Sequence, residues 1–239
     1  MNTKSLYKNL FILAVPIALQ NMISLSIGLA DSVMVGSLGE LSISGVYICN
    51  QIQTVLQMLA AGIGAAQIVL AAQYWGKGDK ESVKNIINIA LRIAILCGLL
   101  FWTVVFFFPE KVLGLYTDDQ QVLLEALKFA RVVCFSYLFF CISNVLMASL
   151  RCIGTVKIGL YISIVSFILN IGLNWILIFG HLGAPKLGIV GAATATLTTR
   201  IVEFIIVVGY VLFVDKKLKY KLRDFSMHNW QLLKDFFRY

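Results

Sequence analysis

The chain has 239 residues, of which 59% are apolar and only 13% charged, with a formal net charge of +8. Soluble domains carry roughly twice that share of charge, so a water-soluble globule of this length would lack the polar residues for its own surface. The mean hydropathy of +0.86 points to a bilayer as the solvent.

Six apolar runs have the ~20 residues a helix needs to cross a bilayer core. They cover approximately 10–34, 50–73, 86–108, 129–150, 158–180 and 189–214. The runs are too long and continuous for the alternating ten-residue strands of a barrel, and helices satisfy their own backbone in lipid. The expected fold is therefore an all-α membrane protein, a bundle of six transmembrane helices. The first run follows Lys4 and Lys8 as a signal peptide would, but it continues to Asp31, beyond the length of a signal core. Pro16 lies well inside it, where membrane helices tolerate a proline.

Small residues cluster in the second run (Ala60 to Ala66) and in the sixth (Gly188 to Ala195), where they allow close helix approach. Loops are short except the third, about 109–128, whose acids Glu110, Asp118, Asp119 and Glu125 suit an exterior surface. Cys49, Cys97, Cys134, Cys141 and Cys152 show no metal or redox spacing and read as small core residues. After residue 214 the composition changes. Residues 215–239 mix Lys and Arg with Tyr220, Phe225, Trp230, Phe236 and Phe237, the pattern of a basic amphipathic linker on the inner membrane face. Apolar residues still recur at helical spacing at the end, so the chain reads as the first part of something longer.

No enzyme motif is present, and no organic cofactor is implied. His181 and His228 read as solvated loop and tail residues. Arg92 and Arg131 stand near helix ends, where they can snorkel, and Arg200 and Glu203 are spaced to neutralise each other. The informative residues are polar ones at lipid depth. Asp31 stands near the outer end of the first run, where a buried carboxylate costs about 3 kcal/mol unless it faces a cavity or a partner; it either does so or marks the water interface. Asn170 and Asn174, four apart, share one helix face. Their carbonyl oxygens can ligate a hard cation or their amides can hydrogen-bond a carboxylate; the plainer alternative is hydrogen bonding between helices. Thr194 and Thr196 fall at a similar depth in the sixth run.

Several segments in order resemble the multidrug and toxic compound extrusion (MATE) antiporters. They are the stretch from Pro16 to Asp31 with Met34-Val35-Gly36, the polar turn Gln73-Tyr74-Trp75-Gly76-Lys77-Gly78-Asp79, Arg151-Cys152-Ile153-Gly154, Leu169 to Trp175, and Leu187 to Thr196. The resemblance implies twelve helices in two six-helix lobes enclosing a midplane cavity. On that reading 1–214 is the first lobe and 215–239 the linker toward a second. It also implies coupling to Na⁺ or H⁺ through Asp31, with Asn170, Asn174, the Thr196 hydroxyl and the Ala192 backbone around it. Some relatives carry a carboxylate where Asn174 stands; here one acid remains. The implied activity is efflux of small organic cations across the cytoplasmic (inner) membrane. A flippase for lipid-linked substrates and a fragment inactive without its second lobe are the alternatives.

Orientation follows from basic residues. Fourteen of the twenty Lys and Arg fall on the side of the N-terminus, the even-numbered loops and the tail, against Lys111, Lys128 and Lys186 on the other. Both termini are expected in the cytoplasm, and the positive charge needs no nucleic-acid partner. Single cysteines in a Cys-free background should therefore be labelled from the cytoplasm at 77–84 and 216–223, and from outside at 118 and 119. Labelling of 118 from the cytoplasm alone would exclude this six-span arrangement.

Overall fold

The computed structural model describes residues 3–226 and 230–236. His228 and Arg238 lie outside the described residues. Those described form helices, turns and loops, with no strand among them. The helices are α1 (Thr3–Gly36), α2 (Glu40–Gly76), α3 (Lys80–Phe107), the short α4 (Pro109–Leu113), α5 (Gln120–Val133), α6 (Ser136–Cys152), α7 (Lys157–Phe179), α8 (Ile189–Gly209) and α9 (Trp230–Phe236). Five are long and apolar enough to cross a membrane, and α5 with α6 form a sixth crossing bent by 54°. Six crossings match the six apolar runs.

Their ends have local causes. Gly39, at φ 117°, turns the chain from α1 into α2. Asp79 caps α3 by accepting from the Ser82 backbone N–H at 3.0 Å and its hydroxyl at 2.6 Å. Gly180, left-handed at φ 78°, closes α7. The segment Tyr210–Val214 ends the sixth crossing as a π-helical turn.

The structure corrects the third loop and the fourth crossing. Residues 109–128 are largely helical, and the crossing begins at Gln120 rather than near 129. Pro109 starts α4 from the first helical position. Asp119 caps α5 through the Gln121 and Val122 N–H groups, and Glu125 pairs with Lys128 at 2.6 Å one turn on. These residues make a helix that is polar on one side, which an apolar count passes over.

α1 packs chiefly along α7, α2 contacts α3, α5 and α6, and α8 sits against α5, α6 and α7. Small residues set the closest approaches. A Cβ on Gly45 would stand 2.8 Å from the Ala126 nitrogen, and one on Gly191 2.5 Å from the Leu177 carbonyl oxygen. Gly191 thus lets the start of α8 lie directly on the end of α7. All five cysteines are free, and all but Cys97 are buried. His181 is exposed, yet its ring stacks on Trp175 with centroids 4.0 Å apart.

The tail does more than follow α8. It folds back along α3, burying Leu218, Tyr220, Leu232 and Phe236. The Tyr220 hydroxyl donates to Asn88 Oδ1, while Asn88 Nδ2 donates to the Asp224 carbonyl at 2.6 Å. Lys84 pairs with the Asp224 carboxylate at 2.6 Å, and Arg92 donates to the Phe225 carbonyl at 2.8 Å. Burial alone would raise the Asp224 carboxyl, but the Lys84 ammonium and the Lys221 backbone N–H hold it below the ordinary aspartate value. Its contribution is therefore complete above about pH 4 and fades only as pH falls through the lower folded value. Tyr220→Phe and Asp224→Asn should each loosen the tail by about 1 kcal/mol. Trypsin should then cut at Lys219, Lys221 and Arg223 about fivefold faster at pH 8. Unchanged cleavage in both variants would mean that other contacts hold the tail.

Candidate ion-coupling site

α1 carries Asp31 five residues before its end, and α7 carries Asn174 five residues before its own. Because the two helices run side by side in the same direction, equal distances from the ends bring these residues to one level. The Asn174 side-chain amide donates to Asp31 Oδ1, and also to Asn170 Oδ1 at 3.3 Å. Asn170 and Asn174 are 1% and 0% exposed, so this is a sequestered contact between α1 and α7. Asp31 is half-buried and opens on a cavity of about 260 Å³. Asn170, Ala192 and Thr196 line the same cavity. The α8 residues reach it because Gly191 seats the first turn of that helix against α7.

Four of the five expected site residues thus share one cavity, and Asn174 stands behind its wall. From the sequence, Asn174 could offer a carbonyl oxygen to a cation or its amide to a carboxylate. Here its N–H groups face the carboxylate, and its Oδ1 is buried without a hydrogen-bond partner. It positions Asp31 rather than presenting a ligand oxygen to the cavity. Thr194 is not part of the lining; its hydroxyl donates to the Val190 carbonyl one turn back at 2.8 Å.

Sequence reasoning missed the opposite wall. Asn50, Gln53, Thr54 and Gln57 of α2 all line the cavity, with Ser166 and Thr199 completing it. Their spacing of three and four places the α2 group on one helix face. That polar stripe within a lipid-length run is the signal that could have found it.

Asp31 and Arg200 are the charged side chains that line this cavity. Among the described residues, no three His, Cys, Asp or Glu cluster as a multivalent-metal site would require. The Asp31 carboxylate, bonded to a neutral amide, can take up and release a single positive charge, either a proton or a monovalent hard cation.

Polar residues thus converge on an internal cavity of a six-helix membrane bundle. The chain belongs to the MatE family, whose sequence model matches residues 16–176. It is 28% identical over 95% of its length to the "Probable multidrug resistance protein NorM" of Rhizobium meliloti, covering 46% of that protein. It is 27% identical to the multidrug resistance protein PmpM of Pseudomonas aeruginosa, over 93% of this chain and 46% of that one. Among solved structures, a MOP superfamily transporter from Pyrococcus furiosus superposes with a TM-score of 0.85 at 27% identity, over 97% of this chain and 50% of that one. The chain spans about half the length of these relatives.

Removing the Asn174 amide leaves Asp31 without its buried donor, a loss of about 1–3 kcal/mol. Asn174→Ala should lower the melting temperature in detergent by several degrees, whereas Thr194→Ala should leave it nearly unchanged. Equal shifts in the two variants would show that the Asp31–Asn174 bond contributes no more than an ordinary helix contact.

Proposed function

We propose that this chain is one lobe of a cation-coupled efflux antiporter that exports small organic cations, with Na⁺ or H⁺ as the coupling ion and Asp31 as its carrier. The observation that carries this reading is the Asp31–Asn174–Asn170 contact beside a cavity in a MatE chain. A carboxylate held by a neutral amide keeps its capacity to change charge. The names of NorM and PmpM supply the multidrug element, and the share of those proteins covered supports a second lobe facing the cavity. The fourteen basic residues on the side of the termini support a cytoplasmic location for both ends.

The flippase alternative looks for uncompensated basic residues in the cavity. Arg92 is bonded to the tail, and Arg131 faces a separate pocket formed with Phe106–Lys111. Of the two arginines that line the cavities, Arg200 is paired with Glu203, whereas Arg151 is held by the neutral Gln20 side chain and keeps its positive charge uncompensated. One such charge, where a flippase would present several, favours the antiporter reading.

In a protein containing this lobe and a second one, Asp31→Asn should preserve membrane insertion and reduce ethidium efflux at least tenfold. Asn174→Ala should reduce it less, since water can replace one neutral partner. This chain alone in liposomes should show no efflux. Parental efflux by Asp31→Asn across pH, with and without Na⁺, would overturn the assignment.

A further inference from the structure

A second cavity, of about 570 Å³, adjoins the first toward the tail end. The two share Ser24, Leu25, Gln57 and Arg200 in their walls, so they are successive parts of one cleft. Its charged lining residues are Arg151, Arg200 and Glu203. Arg151 donates to Gln20 Oε1 at 3.1 Å and so belongs to the α1–α6 junction. Arg200 and Glu203 form an ion pair at 2.8 Å. The same Arg200 guanidinium lies over the Phe140 ring, 4.9 Å from its centroid.

This arrangement is more specific than mutual neutralisation requires. A carboxylate beside an aromatic face is the combination that holds an organic cation, by charge and by cation–π attraction. Both partners line a cavity of ligand size, and Arg200 occupies both at once. Glu203 is only 8% exposed, and Arg200 is the cation that its carboxylate faces. The guanidinium is thus a tethered stand-in for a diffusible cation. It also has a second place to go, because its side chain lines the cavity that contains the Asp31 carboxylate.

We propose that Glu203 and Phe140 form a binding site for a monovalent organic cation, and that the cation enters by displacing Arg200 toward Asp31. This rests on the antiporter reading of Asp31 and extends it to the substrate. Arg200 then links the two carboxylates by simple competition. When Asp31 is free, it receives the arginine and leaves Glu203 to the organic cation. When Asp31 holds its coupling ion, the arginine returns to Glu203 and expels the cation. One mobile positive charge gives the exchange without any contact between the two ligands.

The experiment is equilibrium binding of tetraphenylphosphonium to residues 1–239 in lipid nanodiscs, at fixed pH without Na⁺. Saturable binding is expected for the parental chain. Glu203→Gln should weaken it at least tenfold, and Phe140→Leu several-fold with the charges intact. Arg200→Met should strengthen it, because the competitor is gone. Asp31→Asn should weaken binding in the parental background and have no effect in the Arg200→Met background. Where Arg200→Met does not fold, Arg200→Gln serves in both places, and the Phe140→Leu loss stands as an independent requirement. Absence of parental binding, unchanged affinity in Glu203→Gln or Phe140→Leu, or weaker binding in both Arg200 variants overturns the site. An Asp31→Asn effect that persists without Arg200 overturns the displacement while leaving Asp31 as the coupling residue. Parental efflux in Asp31→Asn, by contrast, removes the antiporter reading itself.

Discussion

A carboxylate at lipid depth must find donors within the protein, and for Asp31 the donor is the Asn174 amide. Much of the site's geometry follows from that requirement. α1 has few buried residues: among those described, only Gln20 and Val35 are lost from the surface. Apolar packing alone therefore fixes its position weakly, and hydrocarbon offers no hydrophobic drive between helices. Two polar contacts define where α1 lies. Gln20 meets Arg151 and the Met147 sulfur at the middle of the helix, and Asp31 meets Asn174 near its end. The bare backbone of Gly159 makes room for the first.

The same demand accounts for the rest of the polar interior. Gln67 of α2 donates to Ser149 and to the Val145 carbonyl of α6, and Arg200 is satisfied within α8 by Glu203. Each such group in lipid is expensive when left alone, so a polar residue either joins two helices or faces a cavity. α2 does both. Gln67 looks inward to α6, while Asn50 and Gln57 look toward the cleft.

The six crossings were legible because an apolar run of twenty residues has no use in water and an obvious one in lipid. Asp31, Asn170 and Asn174 stood out because charge and amides are rare in such runs and carry a known cost. Their meeting required one further step, equal distance from helix ends on parallel neighbours. The start of α5 was hidden, since Gln120, Gln121, Glu125 and Lys128 lower the local hydropathy without stopping a helix. The α2 stripe was hidden for the opposite reason: Asn50, Gln53 and Gln57 are outweighed by the apolar residues between them. The tail's return to α3 depends on pairs such as Lys84–Asp224, 140 residues apart, which no local pattern reveals.

The α2 stripe has a consequence for the bilayer itself. Lipid tails cannot hydrate Asn50, Gln53, Thr54 and Gln57, and Gln57 and Thr54 are exposed on this bundle. Wherever no other protein surface covers that face, the membrane must adjust by thinning locally and letting water follow the stripe inward. On an uncovered face the cleft would then be a wet seam in an otherwise dry layer, and a solute following it would be spared most of the cost of entering hydrocarbon.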